Sequence, residues 1–124
     1  MSTRKPSKNY PKRGEIYLAD LNPGFGIETH KKRPILVISD NAFNKIFSTI
    51  ITIPFTSIVP IVLGPELVKV EGIRGLDRKS ALIIHHIRAV DVARLGKKIG
   101  RISKEKIFEV ETALKIALGI TELN

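Results

Sequence analysis

The chain has no cysteine among its 124 residues. That excludes a disulfide framework, thiolate catalysis and cysteine-ligated zinc or iron–sulfur centres. Tryptophan is also absent and aromatic residues make up only 6%, so a broad base-stacking platform for single strands is poorly supplied. No long apolar run exists. Residues 50–53 and 58–63 are interrupted by Thr52 and Pro60, far short of the ~18 residues of a membrane span. No apolar h-region follows the basic N-terminus, so a signal peptide is not expected. The reading is a soluble cytoplasmic protein with no membrane partner. Acidic residues are scarce beside basic ones: 12 against 21, a net charge of +9. A polyanion such as nucleic acid, or an acidic protein, suits that balance. The first 13 residues hold no acid but carry Arg4, Lys5, Lys8, Lys12 and Arg13. We read residues 1–12 as a basic flexible tail and 13–124 as one domain, a size that needs no metal or disulfide to fold.

Turn signals divide the first three-quarters into short segments. Residues 15–20 alternate as a half-buried strand. Asn22-Pro23-Gly24-Phe25-Gly26 breaks it and opens a polar loop running through Lys32. Residues 34–39 form a compact β-branched run, a buried strand. Asp40-Asn41 suits a cap for one helical turn over 42–47. Further strands are expected at 48–56, 67–71, 80–90 and 97–102. From Ser103 the period changes. Ile107, Val110, Leu114, Ala117 and Leu118 share one helical face, with Ser103 as N-cap and Gly119 as the stop. The expected fold is mainly β: a small, strongly curved sheet or barrel with one amphipathic helix packed on it.

Recognisable catalytic signatures are missing: no Gly-rich phosphate loop, no Gly-x-Ser-x-Gly, no metal-ligand spacing. Of the three histidines, His85 and His86 are adjacent on the expected strand 80–90 and point to opposite faces, so they cannot share a metal ion. No cofactor is expected. Polar groups gather instead at the ends of buried strands. A basic loop, Glu28-Thr29-His30-Lys31-Lys32, runs into a rigid strand at Arg33, a position where a guanidinium can grip phosphate as a fixed fork. Thr56 and Ser57 end a central strand, where hydroxyls commonly tie off turn backbone. His86 and Arg88 share one face of a strand.

Together these segments carry a resemblance. Arg13-Gly14-Glu15-Ile16-Tyr17, then Gly26-x-Glu28 leading to Arg33-Pro34, Pro54-Phe55-Thr56-Ser57, Ile87-Arg88-Ala89-Val90-Asp91 with Arg94-Leu95, and the C-terminal helix resemble the MazF/PemK toxins of type II toxin–antitoxin systems over roughly residues 13–120. The resemblance implies a homodimeric SH3-like (CcdB/PemK-type) barrel. It implies an mRNA interferase that cuts single-stranded RNA without metal and is neutralised by an acidic antitoxin. It places Arg33 and Thr56 at the catalytic positions. Phe25, Glu28, Thr29, His30, Lys31 and Lys32 from the first loop are then expected to bind substrate, with Ser57, His85, His86 and Arg88 from the strand ends. The family commonly carries Gln where this chain has His86, often preceded by an acid where it has His85, and Glu-Gln where it has Glu28-Thr29.

Metal-free RNA cleavage uses the RNA's own 2′-hydroxyl as nucleophile. The enzyme must align it, remove its proton, stabilise the phosphorane and protonate the leaving oxygen. Arginine, with a pKa above ~12, is a poor base at neutral pH. Glu28, His30 and His86 are the candidate bases. Two other functions compete: a non-enzymatic toxin of the same fold that blocks a protein target such as DNA gyrase, and a nucleic-acid-binding barrel without activity. The pairing of a strand-entry arginine with a strand-end threonine favours the nuclease.

Overall fold

The computed structural model describes Thr3, residues 9–21 and residues 31–120. Seven antiparallel strands form one sheet: β1 (Glu15–Asp20), β2 (Lys32–Val37), β3 (Thr49–Thr56), β4 (Leu67–Lys69), β5 (Ala81–Ile83), β6 (Arg88–Asp91) and β7 (Leu95–Arg101). Their order is β4-β5-β3-β2-β1-β7, with β6 on the outer edge of β3. A short helix α1 (Asn41–Asn44) links β2 to β3, and α2 (Lys104–Ala117) closes the chain. The expected mainly β sheet with one packed helix is what forms.

The local signals explain most elements. Asp40 caps α1 by accepting from the Ala42 backbone N–H at 2.9 Å. Ser103 caps α2 by accepting from the Lys106 N–H at 3.1 Å, and Glu105 lies in the first turn where the dipole favours it. Gly119, at φ +70°, ends α2: its N–H and that of Ile120 donate back to the Ile116 and Lys115 carbonyls. That is the paired arrangement of a left-handed glycine cap.

Two expectations are corrected. The single strand over 80–90 is two short strands, β5 and β6, separated by a 3₁₀ turn at Ile84–His86. β3 is the reason. It offers one edge to both: Phe55 pairs with Leu82 and Thr52 with Arg88, so six steps along one chain segment match three along the other. The surplus must leave the ladder. It does so where Ile84, fully buried, donates its N–H to the Glu66 carbonyl at 2.8 Å. Pro54, without an N–H to give, sits in the gap between β6 and β5. The second correction concerns α2. Val110 is buried and Ile107, Ala113 and Leu114 pack on the core, but Ala117 and Leu118 are exposed. The last turn runs past the surface that covers the others.

Two apolar clusters lie on opposite faces of the sheet. Ile16, Leu36, Ile53, Phe55, Leu82, Ile84 and Val110 belong to the larger one, which α2 covers. Ala19, Ile35, Val37 and Ile50 form the smaller one, flanked by Tyr17, Leu21, Val92 and Leu95. Burying each large aliphatic side chain contributes roughly 1.5–3 kcal/mol. The smaller cluster matters for function because its face carries the polar strand ends described next.

Candidate active site

Strand register decides which side chains meet. β2 and β3 pair Ile35 with Pro54, Leu36 with Ile53 and Val37 with Thr52. Carried two residues further, the same antiparallel register brings Arg33 opposite Thr56. On the far edge of β3, Arg88 of β6 lies opposite Thr52. Side chains two apart on a strand share a face. Arg33, Thr56 and Arg88 therefore project from the face of the smaller cluster. There they line a cleft of about 510 Å³ together with Leu21, Lys31, Pro54, Phe55, Ile83 and His86.

The cleft thus unites Lys31, Arg33, Thr56, His86 and Arg88 from the sequence-derived set. Others are placed apart. Lys32 points to the opposite face by strand alternation, its Nζ lying over Gly96 of β7. Ser57 is exposed beyond the end of β3 and does not line the cleft. His85 stays outside the lining, its ring edge-on to that of His86 with centroids 4.5 Å apart. The two histidines occupy a 3₁₀ turn rather than a strand, so the opposite-face expectation does not apply. Phe25, Glu28, Thr29 and His30 lie outside the described residues. Leu21 and Ile83, two apolar walls of the cleft, carry no chemical signal in the sequence.

The electrostatics of the cleft are one-sided. Lys31, Arg33 and Arg88 are exposed cations, and among the described residues no carboxylate lines the cleft or pairs with Arg33 or Arg88. Asp91, three residues after Arg88, caps the next turn by accepting from the Ala93 N–H at 2.8 Å. The buried Thr52 hydroxyl donates to the Arg88 carbonyl at 3.1 Å and pins the backbone there. Thr56 Oγ1 accepts from the Ile58 N–H at 3.1 Å, which fixes the hydroxyl oxygen while its own hydrogen remains available to donate. A positioned hydroxyl among exposed cations suits a phosphodiester.

A second polar cluster on the same face is structural. The buried Glu15 carboxylate accepts from the Lys12 backbone N–H at 2.8 Å, the Tyr17 hydroxyl at 2.9 Å and Lys98 Nζ at 3.0 Å, tying β1 to β7. Burial by itself raises the Glu15 pKa, but these hydrogen bonds outweigh it and hold the group below its ordinary value of 4.5. Tyr17 is pushed up to about 12, first by burial and then by its hydrogen bond to Glu15. A carboxylate with a depressed folded pKa adds stability above its ordinary pKa, and that stability is lost as pH falls through the folded value. Urea titrations should therefore show wild type more stable than Glu15→Gln at pH 7, with the gap narrowing as pH falls below the ordinary value of 4.5. A gap that stays constant down to pH 3 contradicts this account.

The profile of the PemK-like, MazF-like toxins of type II toxin-antitoxin systems matches residues 12–118. The chain belongs to this toxin family. It is 34% identical over 114 residues to the Endoribonuclease MazF of Staphylococcus epidermidis, covering 91% of this chain and 95% of that protein. Two solved structures share the fold. A MazE-MazF complex from Deinococcus radiodurans superposes with a TM-score of 0.77 at 23% identity, over 92% of this chain and all of that one. The Mycobacterium tuberculosis toxin MazF-mt6 gives 0.72 at 20% identity, over 87% and 99%. These matches account for the order of elements in this PemK/MazF-like chain. The chemistry of its cleft rests on its own residues.

Proposed function

We infer that this PemK/MazF-like chain is a toxin endoribonuclease that cleaves single-stranded RNA through the RNA's own 2′-hydroxyl. The observation that carries the reading is the juxtaposition of Arg33 and Thr56 across β2 and β3 in a cleft lined by cations. In this mechanism the guanidinium of Arg33 grips the non-bridging oxygens of the scissile phosphate. Those oxygens gain charge as the 2′-oxygen adds to phosphorus, so the grip tightens in the transition state. The Thr56 hydroxyl donates to the same phosphate and holds it in line. Lys31 and Arg88 flank it and hold neighbouring phosphates. Because the nucleophile comes from the substrate, no activated water is required, and the reaction proceeds without a metal. A protein-binding inhibitor of the same fold has no use for such a paired guanidinium and hydroxyl.

The same cationic cleft suits an acidic antitoxin whose carboxylates lie where phosphates would. The Deinococcus relative is named as a complex of MazF with MazE. On this reading the protein acts in the cytoplasm as a homodimer with such an antitoxin as its regulator.

The test is single-stranded RNA incubated with purified protein in excess EDTA. Cleavage should persist, with 2′,3′-cyclic phosphate on one product and a 5′-hydroxyl on the other. Loss of activity in EDTA, or a plain 5′-phosphate on the product, rules the mechanism out.

A further inference from the structure

We propose that His86 is the general base that takes the proton from the attacking 2′-hydroxyl. The proposal rests on the ribonuclease reading above and assigns a role that reading leaves without a residue. Among the described residues that line the cleft, chemistry singles it out. Leu21, Pro54, Phe55 and Ile83 have no titratable group. Lysine and arginine are protonated at neutral pH and have no lone pair to offer. The Thr56 oxygen already accepts from the Ile58 N–H and is not basic. Among the described lining residues that leaves the imidazole of His86, the side-chain type whose ordinary pKa lies nearest neutrality.

The turn that carries His86 is firmly anchored. Ile84 is fully buried, its N–H is held by the Glu66 carbonyl, and the Ile87 N–H closes the turn on the Ile84 carbonyl at 3.3 Å. The His85 ring stands edge-on to His86 at 69°, limiting how the second ring can rotate. The charged and titratable groups around His86 can be named element by element. Its own turn supplies His85. The β2 side supplies Lys31 and Arg33, and β6 supplies Arg88. β3 contributes Pro54, Phe55 and Thr56. Helix α2, packed on the turn, presents apolar Val110, Ala113 and Leu114. Glu66 lends its backbone carbonyl, while its carboxylate lies against Gly64. His86 therefore sits among cations that hold phosphate, with no carboxylate among the described lining residues to take the proton in its place.

The step balances as a transesterification. The bond from the 2′-oxygen to phosphorus forms as the bond from phosphorus to the 5′-oxygen breaks. The 2′-hydroxyl proton passes to the unprotonated ring nitrogen of His86. The departing 5′-oxygen takes a proton from solvent water on the opposite side of the phosphorus, as in-line geometry requires. The imidazolium then returns its proton to the solvent. No water is consumed, and no oxidant or reductant is needed.

The experiment compares pH–rate profiles of wild type, His86→Gln and His85→Gln on single-stranded RNA in EDTA. Glutamine keeps size and hydrogen bonding but cannot titrate. Wild-type kcat/KM should fall on the acidic side with unit slope, reporting a base of the free enzyme. His86→Gln should lose about 10² in kcat and lose the acidic limb. Its affinity for an RNA with 2′-deoxyribose at the scissile position should hold. His85→Gln should lower the plateau severalfold but keep the limb, as a positioning residue would. Imidazole in the buffer should partly restore His86→Ala. The proposal is overturned if His86→Gln keeps the acidic limb, if His85→Gln alone removes it, or if the loss in His86→Gln appears wholly as weaker RNA binding. Should wild type cleave in EDTA with cyclic-phosphate ends while the His86 variants behave normally, only this assignment fails. Should wild type leave RNA intact, the ribonuclease reading fails with it.

Discussion

Replacing Arg33 by alanine should lower the rate of RNA cleavage by about 10²–10³, the usual loss when one preorganised donor to a developing oxyanion is removed. The fold survives. Arg33 is exposed at the entrance to β2 and makes no ion pair within the described residues, so the urea midpoint should correspond to a change of about 0.5 kcal/mol or less. Most of the loss should fall on kcat. The ground-state phosphate already carries one negative charge, and the phosphorane carries more, so the guanidinium contributes chiefly after binding. Arg33→Lys separates charge from geometry. Lysine restores a point charge but not the planar fork, so it should recover only part of the rate. An Arg33→Ala protein that keeps more than a tenth of wild-type activity would remove Arg33 from the catalytic centre.

Ile53→Ala should cost about 3 kcal/mol of folding stability, within the range for large aliphatic truncations in close-packed cores. Ile53 has no solvent exposure. It sits on β3 directly across from Leu36, equally buried, and faces the cluster that holds Phe55, Leu82 and Val110 beneath α2. Truncation removes apolar burial and leaves a cavity that strands on both sides cannot close, because β3 is hydrogen-bonded to β2 on one edge and to β5 and β6 on the other. For a domain of this size the melting temperature should drop by roughly 10 °C. The denaturant m-value should not change, since the surface exposed on unfolding is nearly the same. A loss below about 1 kcal/mol would show that the core collapses around the site, contrary to the packing described. Ile53 faces away from the cleft, so the folded fraction should cleave RNA at close to the wild-type rate.

Much of the architecture was legible from local chemistry. The alternation at residues 15–20, the Ile- and Thr-rich run that became β3, and the Ser103 and Gly119 signals at the ends of α2 depend on neighbours within a few positions. Composition alone, without cysteine and with nine net positive charges, already pointed to a polyanion and excluded thiol chemistry. The tertiary structure decided what depends on register and on distant partners. Residues 80–90 read as one strand because the apolar pattern is continuous. They break at Ile84 because β3 has a single edge to share between β5 and β6. That break moved His86 from a strand face into the cleft, and it set His85 beside it instead of opposite. Lys31 and Lys32 are chemically alike and adjacent, yet strand alternation sends one toward Thr56 and the other over Gly96. Glu15 looked like an ordinary strand residue. Its role appears only where Lys98, 83 positions away, reaches its carboxylate. Periodicity reports which face a side chain takes relative to its own element. Which faces meet, and how far an element extends over its neighbour, is set by pairing between segments remote in the chain.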